Sequence, residues 1–429
     1  MLSREDNALV TRVGPGTPMG ALMRRFWVPA LMSRQVAEAD GPPVRVRILG
    51  EQLVAFRDTS GRVSFVAEHC PHRGASLFFG RNEEAGLRCV YHGWKFDTSG
   101  ACVDMPNEPP ESNFKNKMKV AAYPGREQGG LVWIYMGPPE LQPELPQLEW
   151  TLVPDDHRAV ICWLAECNWL QALEGDIDTS HSMFLHRAMD PALMQSSRRF
   201  EVMADRSPRL ATKHTDYGMA YGGRYNTHDG NYNWRVTQWL MPFHTIIANK
   251  SWPVTGRAWV PIDDHHTAVF SYRFRPDRPM TEPEIEGNGY GQAWEREHEY
   301  GPVHFKDGGA TTIWRPVTTR ANDYLMDREM QRTRNYTGIF RIPTQDRAMT
   351  EGMGAVMDRT RERLGTSDLA IISVRRRLIR MARDLERGEA PTAPYNGGVY
   401  RIRSFDAISE HGSFDRFLEQ HREGMLAPV

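Results

Sequence analysis

The sequence predicts an α+β fold in two parts, a small antiparallel β domain followed by a larger domain that mixes strands and helices. Three observations lead there. Between about Pro43 and Pro138 short β-rich runs alternate with turn residues, a Pro-rich stretch follows, and from about position 318 apolar residues recur at helical spacing. A length of 429 residues suits two domains, expected over 1–148 (with an N-terminal extension) and 149–429.

In the first part, VRVRIL from Val44, QLVAFRD (52–58) and RVSFVAEH (62–69) read as strands, the last two joined by the turn Thr59-Ser60-Gly61. LRCVYHGWKFD (87–97) and ACVDM (101–105) form a second hairpin through Thr98-Ser99-Gly100, and GGLVWIYMG (129–137) reads as a buried strand. PPELQPELPQLEWTLVP (138–154) reads as the linker out of this domain. From about 158 to 275 helix and strand mix, HHTAVFSYRF (265–274) alternating like a half-buried strand. The segment 276–315, which opens PDRPMTEPEIEGNGYG, is expected to form a long surface loop. Ile371, Val374, Leu378, Met381 and Leu385 then make the apolar stripe of one helix, with Ser367 as its N-cap and Gly388 as its stop. Arg375-Arg376-Arg377 lies mostly off that stripe and reads as a solvated face.

Composition narrows the function classes. Hydrophobic residues at 40% and charged residues at 25% fit a packed globular chain. A formal net charge of −1 gives no electrostatic case for nucleic acid or an anionic membrane. The chain has no apolar run of membrane-spanning length, and the charged start MLSREDNALVTR has no secretory h-region, so a cytoplasmic location is expected. Five cysteines are too few, and odd in number, for a disulfide framework, so reduced thiols are expected.

Two of those cysteines form a pattern. Cys70-Pro-His72 is followed, after sixteen residues, by Cys89-Val-Tyr-His92. Structural zinc also accepts two Cys and two His, but zinc fingers keep the Cys pair together and the His pair together. Here each loop supplies one of each. That suits a [2Fe–2S] cluster with two thiolates on one iron and two imidazoles on the other. Tyr91, Gly93 and Trp94 would shield it, while Cys102, Cys162 and Cys167 read as small core residues and His69 as a surface or supporting one.

The segment CPHRGASLFFGRNEEAGLRCVYHGWKF strongly resembles the cluster-binding segment of Rieske non-haem iron ring-hydroxylating oxygenases. About 290 residues follow Gly137, room for a catalytic domain built as an antiparallel sheet covered by helices, as the resemblance implies. A second constellation lies there. Asp178, His181 and His186 fall within nine residues. On a helix Asp178, His181 and Glu174 would share a face, but His186 would sit about 140° away, so both imidazoles meet one metal only if the helix is distorted or ends nearby. Two His and one carboxylate on one face of Fe(II) leave open positions for O2 beside a substrate.

The segment resembles the family's E-x-x-x-D-x-x-H-x-x-x-x-H pattern, which implies His181 and His186 as ligands of a mononuclear Fe(II). Asp346 in the QDRAM segment, 160 residues past His186, is the best match to the third ligand, with Asp358 and Glu351 as rivals. Asp178 matches the bridging carboxylate that links a catalytic His to a cluster His of the next subunit. Asn168 and Glu174 match positions near the iron, in a catalytic or a structural role.

The opening MLSREDNALVTRVGPGTPMGALMRRFWVPAL, and the stretch from NYTGIF to LGTSDLAIISVRRRL, are similar to the phthalate 4,5-dioxygenase-like group. That resemblance implies a homotrimer or stacked trimers. It also implies an aromatic acid substrate, either dihydroxylated or oxidatively O-demethylated, with a bare electron carrier as the remote third possibility. Gly14-Pro-Gly16 to Gly20 is no dinucleotide fingerprint, and there is no plant-type ferredoxin cysteine run. A separate NAD(P)H-dependent reductase of flavin or ferredoxin type is therefore expected as partner. A buried substrate carboxylate calls for an arginine, and of Arg198, Arg199, Arg209, Arg224 and Arg235 the last is first choice, because it alternates with aromatic neighbours in YNWRVTQW.

Overall fold

The structure, a computed structural model, describes residues 1–189, 207–249, 251–286 and 289–428. Arg198 and Arg199 therefore lie outside the described residues. In the first third of the chain the strands are β1 (Trp27–Met32), β2 (Val44–Ile48), β3 (Glu51–Arg57), β4 (Val63–Ala67), β5 (Arg81–Glu83), β6 (Gly86–Arg88), β7 (Lys95–Phe96), β8 (Cys102–Asp104), β9 (Ala122–Gln128) and β10 (Leu131–Tyr135). They form a six-stranded antiparallel sheet in the order β1-β10-β9-β4-β3-β2 and a small sheet β5-β6-β7-β8. The run Leu53-Val54-Ala55-Phe56 shows why β3 is apolar throughout. Leu53 and Ala55 face the main core, while Val54 and Phe56 face a second core that also buries Cys70, Cys89 and Trp94. A strand between two cores needs apolar residues on both faces.

Among the described residues the second sheet has eight strands: β11 (Arg158–Ala165), β12 (Arg209–His214), β13 (Gly218–Asn226), β14 (Tyr232–Leu240), β15 (His244–Ile246), β16 (Val254–Pro261), β17 (Thr267–Phe274) and, further on, β20 (Phe405–Ser409). The order is β11-β17-β16-β15-β14-β13-β12, all antiparallel, with β20 pairing the first half of β14 beyond the reach of the short β15. Helices Trp169–Asp176, Ile342–Gly352 and Leu369–Glu386 accompany this sheet, so the α+β class and its antiparallel sheet with helices hold.

Four local expectations change. The Pro-rich stretch 138–154 is packed down: Trp150 stacks on Tyr272 at 4.3 Å, and Glu149 is ion-paired to Arg403. The expected loop 276–315 carries the hairpin of β18 (His298–His304) and β19 (Ala310–Pro316), turned at Asp307-Gly308-Gly309, where Gly308 has φ +87°. Its β-branched Thr311, Thr312 and Ile313 outweigh the Pro and Gly content. Helix Leu369–Glu386 buries Ile371, Val374 and Leu378 as expected, but Asp368, not Ser367, is its N-cap residue. Arg375 is not solvated; it is 2% exposed, because Glu174 and Glu362 meet it.

Candidate active site and metal centres

Cys70 and Cys89 sit at the heads of two matching loops. Each donates its own N–H across the loop (Cys70 to Ala75, Cys89 to Trp94) and accepts at its carbonyl from a glycine four residues on, Gly74 and Gly93, at 2.9 Å in each case. Both glycines turn the chain at positive φ, +74° and +81°. A Cβ on Gly93 would also lie 2.6 Å from Pro106 Cγ, so no other residue fits there without strain. The thiols are each 2% exposed, while the imidazoles of His72 and His92, half-buried, meet edge to face at 4.3 Å between centroids. Trp94 stacks under His72 at 4.6 Å and anchors its own Nε1 on Asn107. Tyr91 is exposed, and His69 is a surface residue bonded to the Gly74 carbonyl.

These residues fit a cluster. Burial, reinforced by the neighbouring Cys89 sulfur, pushes the Cys70 thiol up to about 11, a setting a thiolate tolerates when bound to a cation. His72 Nδ1 is buried with no hydrogen-bond partner among the described residues, as an unused ligand atom would be. Cys102, Cys162 and Cys167 are buried, Cys102 Sγ donating to the Asp104 carbonyl, and burial pushes the Cys167 thiol up to about 12.

The second centre is built where helix Trp169–Asp176 stops. The chain leaves helical geometry after Asp176, and His181 opens a short 3-10 turn, so the two imidazoles need not share a helical face. Asp178 is off the helix; its Oδ1 accepts from the Ser180 N–H at 2.9 Å and hydroxyl at 2.6 Å, and Oδ2 stands 3.5 Å from His181 Nδ1. Burial would raise the Asp178 carboxyl, but bonding to His181 and Ser180 outweighs it and holds the group below its ordinary value.

From the other side comes helix Ile342–Gly352. Gln345 Nε2 donates to the Ile339 carbonyl, which turns Oε1 toward His186 Nδ1 at 2.8 Å. That ring nitrogen therefore carries the proton, and His186 Nε2 faces inward as a lone pair. His181 Nε2, His186 Nε2 and Asp346 Oδ1 converge, with separations of 3.1, 3.1 and 3.7 Å. Ligand bonds of about 2.1 Å at right angles put neighbouring donor atoms roughly 3 Å apart, so the trio fits one face of an octahedral metal. Three acceptors this close repel one another without a cation between them. The rival carboxylates lie elsewhere: Glu351 is taken by Arg347 and Tyr324, and Asp358 caps the Thr360 turn.

This centre opens into a cavity of about 730 Å³, within the roughly 300–1,000 Å³ of small-molecule sites. Its wall is one face of the large sheet, in i, i+2 steps: Ile161 and Trp163 on β11, Ser271 and Arg273 on β17, Thr255 and Arg257 on β16, Arg235 and Thr237 on β14. Arg235 thus lines the cavity. Arg209 and Arg224 are not among its lining residues, the latter lying over Tyr232 and bonded to the Gly412 carbonyl.

Asn168 and Glu174 do not line it either. Asn168 accepts from the Leu170 N–H, capping its helix, and donates to the Thr11 and Asp264 carbonyls. Glu174 binds Arg359 and Arg375; burial would raise its carboxyl, but the two guanidinium groups hold it below its ordinary value. Sequence reading missed Asp176, which faces the site and is bonded to Thr245 (2.6 Å), Trp259 (3.1 Å) and Arg257. It also missed Tyr290, Trp294 and His298, which the expected surface loop brings to the cavity. The signal for Arg257 was available in VTGRAWVP, where the apolar Val260 and the inward Arg257 do not share a strand face.

Paired Cys and His on two loops, with a two-His, one-carboxylate face opening on a substrate-sized cavity, define an oxygenase with an iron–sulfur centre and a non-haem iron. Known proteins agree. Residues 26–124 match the family described as Rieske [2Fe-2S] domain, and residues 134–425 the family described as LigXa C-terminal domain like. The chain is 42% identical to the 3-chlorobenzoate-3,4-dioxygenase oxygenase subunit of Comamonas testosteroni over 89% of each chain. It is 38% identical to the phthalate 4,5-dioxygenase oxygenase subunit of Pseudomonas putida over 95% of this chain and 92% of that one. The fold also matches the crystal structure of dicamba monooxygenase bound to dicamba, at TM-score 0.57 and 18% identity, over 85% of this chain and 98% of that one.

The chain belongs to the Rieske non-haem iron oxygenases, in the phthalate 4,5-dioxygenase-like group. Its cofactors are a Rieske [2Fe–2S] cluster and a mononuclear iron, with O2 as co-substrate. It is the oxygenase component of a multicomponent system and receives electrons from a separate protein. No helix among the described residues is long and apolar enough to cross a membrane.

Proposed function

We propose that this chain cis-dihydroxylates an aromatic carboxylate of the benzoate or phthalate class, with electrons from an NAD(P)H-dependent reductase of flavin or ferredoxin type. The observation that carries this reading is one cavity bounded by His181, His186 and Asp346 and also by a sheet wall bearing arginines. Cys70, His72, Cys89 and His92 would hold the cluster; His181, His186 and Asp346 would hold the iron. The iron, when bound, supplies a site for O2 beside the ring. The protein's own part is positional: Gln345 and Asp178 orient the two imidazoles, and the apolar Ile161 and Trp163 flank the ring's space. Asp178, which lines the cavity as it reaches His181, is the carboxylate that would also meet a cluster histidine of a second copy in a homotrimer. The division into 1–148 and 149–429, and a cytoplasmic location, go with this reading.

The test supplies the iron-replete protein with a phthalate-type reductase, NADH and ¹⁸O₂, and a panel of phthalates, chlorobenzoates, phenoxybenzoates and methoxylated aromatic acids. A cis-diol carrying two labelled oxygens, or the catechol from it, supports the proposal. Formaldehyde with a free phenol replaces it by O-demethylation, and turnover of neutral aromatics alone removes the carboxylate.

A further inference from the structure

Among the described residues five arginines line the cavity, and four of them are matched by acids. Arg257 pairs with Asp176, Arg341 with Glu297 at 3.0 Å, Arg347 with Glu351 at 3.3 Å, and Arg235 stands 3.5 Å from Asp406 while donating to the Ala248 carbonyl. Arg273 is the exception. It is 8% exposed, on β17 opposite Thr255, and has no carboxylate within 4 Å among the described residues. Its Nη1 donates to the Glu284 main-chain oxygen at 2.9 Å, and Nε is buried with no partner. Nη2, unlike Nε, is neither sealed off nor bonded to any group among the described residues. A guanidinium nitrogen of this kind is a charged donor suited to a carboxylate oxygen. A buried cation left unmatched costs folding free energy, and a ligand anion would offset that cost.

We propose that Arg273, rather than Arg235, is the carboxylate anchor of this cavity, taking the acid group of an aromatic substrate through Nη2. The inference rests on the reading of the cavity as an aromatic-acid site. Arg235, already held by Asp406 and Ala248, belongs to the wall. Ser271, two residues before Arg273 on the same face, is bonded to Tyr290 at 2.7 Å and keeps that neighbouring position polar.

The experiment measures binding, not turnover. Holoenzyme, Arg273→Leu, Arg273→Lys and Arg235→Leu are titrated by calorimetry with 3-chlorobenzoate and phthalate, and with the neutral 3-chlorobenzamide and phthalamide. Cluster absorbance and Tm confirm that each variant is folded and loaded. The wild type should prefer acid over amide by about 100-fold. Arg273→Leu should bring that preference to within about threefold, mainly by weakening the acid, and Arg273→Lys should lose about tenfold because it keeps the charge without the guanidinium's reach and donor geometry. If Arg273→Leu does not fold, Arg273→Lys alone decides, and an unchanged preference in it overturns the proposal. An acid preference that survives in Arg273→Leu, or that collapses only in Arg235→Leu, also overturns it while leaving the aromatic-acid reading intact. A wild type with no acid preference overturns that reading and this inference with it.

Discussion

Gln345 works at the scale of one side chain. By donating to the Ile339 carbonyl and accepting from His186 Nδ1 it settles which imidazole nitrogen faces His181 and Asp346. Gln345→Leu should weaken iron binding at that site about 10–100-fold. Under chelator competition the iron content should fall from three toward two per chain, with the cluster absorbance unchanged; loss of the cluster signal instead would mean global damage. Gly93 is a second single-residue constraint. Gly93→Ala must place a methyl against Pro106 at positive φ, so cluster occupancy, read from visible absorbance, should fall well below wild type while mononuclear iron stays loaded. Both residues were legible only in part. Gly93 stood inside a recognisable motif, whereas the partner of Gln345 lies 159 positions away.

At the scale of elements, the junction between helices Trp169–Asp176 and Leu369–Glu386 is an ionic one. Glu174 sits between Arg359, 0% exposed at its side chain, and Arg375, 3% exposed. Removing the acid leaves Arg359 buried without an ion pair and Arg375 with Glu362 alone, so Glu174→Ala should lower stability by about 3–5 kcal/mol in denaturant titration. The folded state holds the Glu174 carboxyl below its ordinary value near 4.5. Its contribution is therefore present above that value and is lost as pH falls through the lower folded value, so the variant's deficit should shrink in acid. A deficit that stays constant down to pH 3 would contradict this. Arginines at 375–377 read as a solvated face because periodicity reports which positions face inward, not what charge awaits them there. The hairpin His298–His304 with Ala310–Pro316 was obscured by the Pro, Gly and charge of the segment before it.

Across the whole molecule, a continuous core joins the two sheets, running through Trp133, Trp150, Tyr272 and the strands around them. His244 on β15 is buried in it, 5.9 Å from Trp133 between ring centroids, with Nδ1 unpartnered among the described residues. Burial pushes its imidazole down from about 6.5 to about 3. Below pH 6.5 the unfolded chain takes up a proton that the folded chain refuses, so stability falls as pH drops toward 3, by about 1.4 kcal/mol per pH unit. His244→Leu should flatten that limb between pH 6.5 and 5, where most carboxylates are still ionised; equal slopes in both proteins would show that His244 is not the group responsible. The sequence by itself determined the α+β class and the spacing that brings Cys70 near His72, Cys89 near His92 and His181 near His186. In each case the paired side chains or the apolar repeat lie within one loop or one element, and local spacing records them. The tertiary structure alone decided that Gln345 orients His186, that Asp176 rather than Glu174 faces the cavity, and that Arg273 has no acid partner among the described residues. A side chain's pairing depends here on strands and helices brought together across as many as 159 residues, and that proximity leaves no mark on the order of residues along the chain.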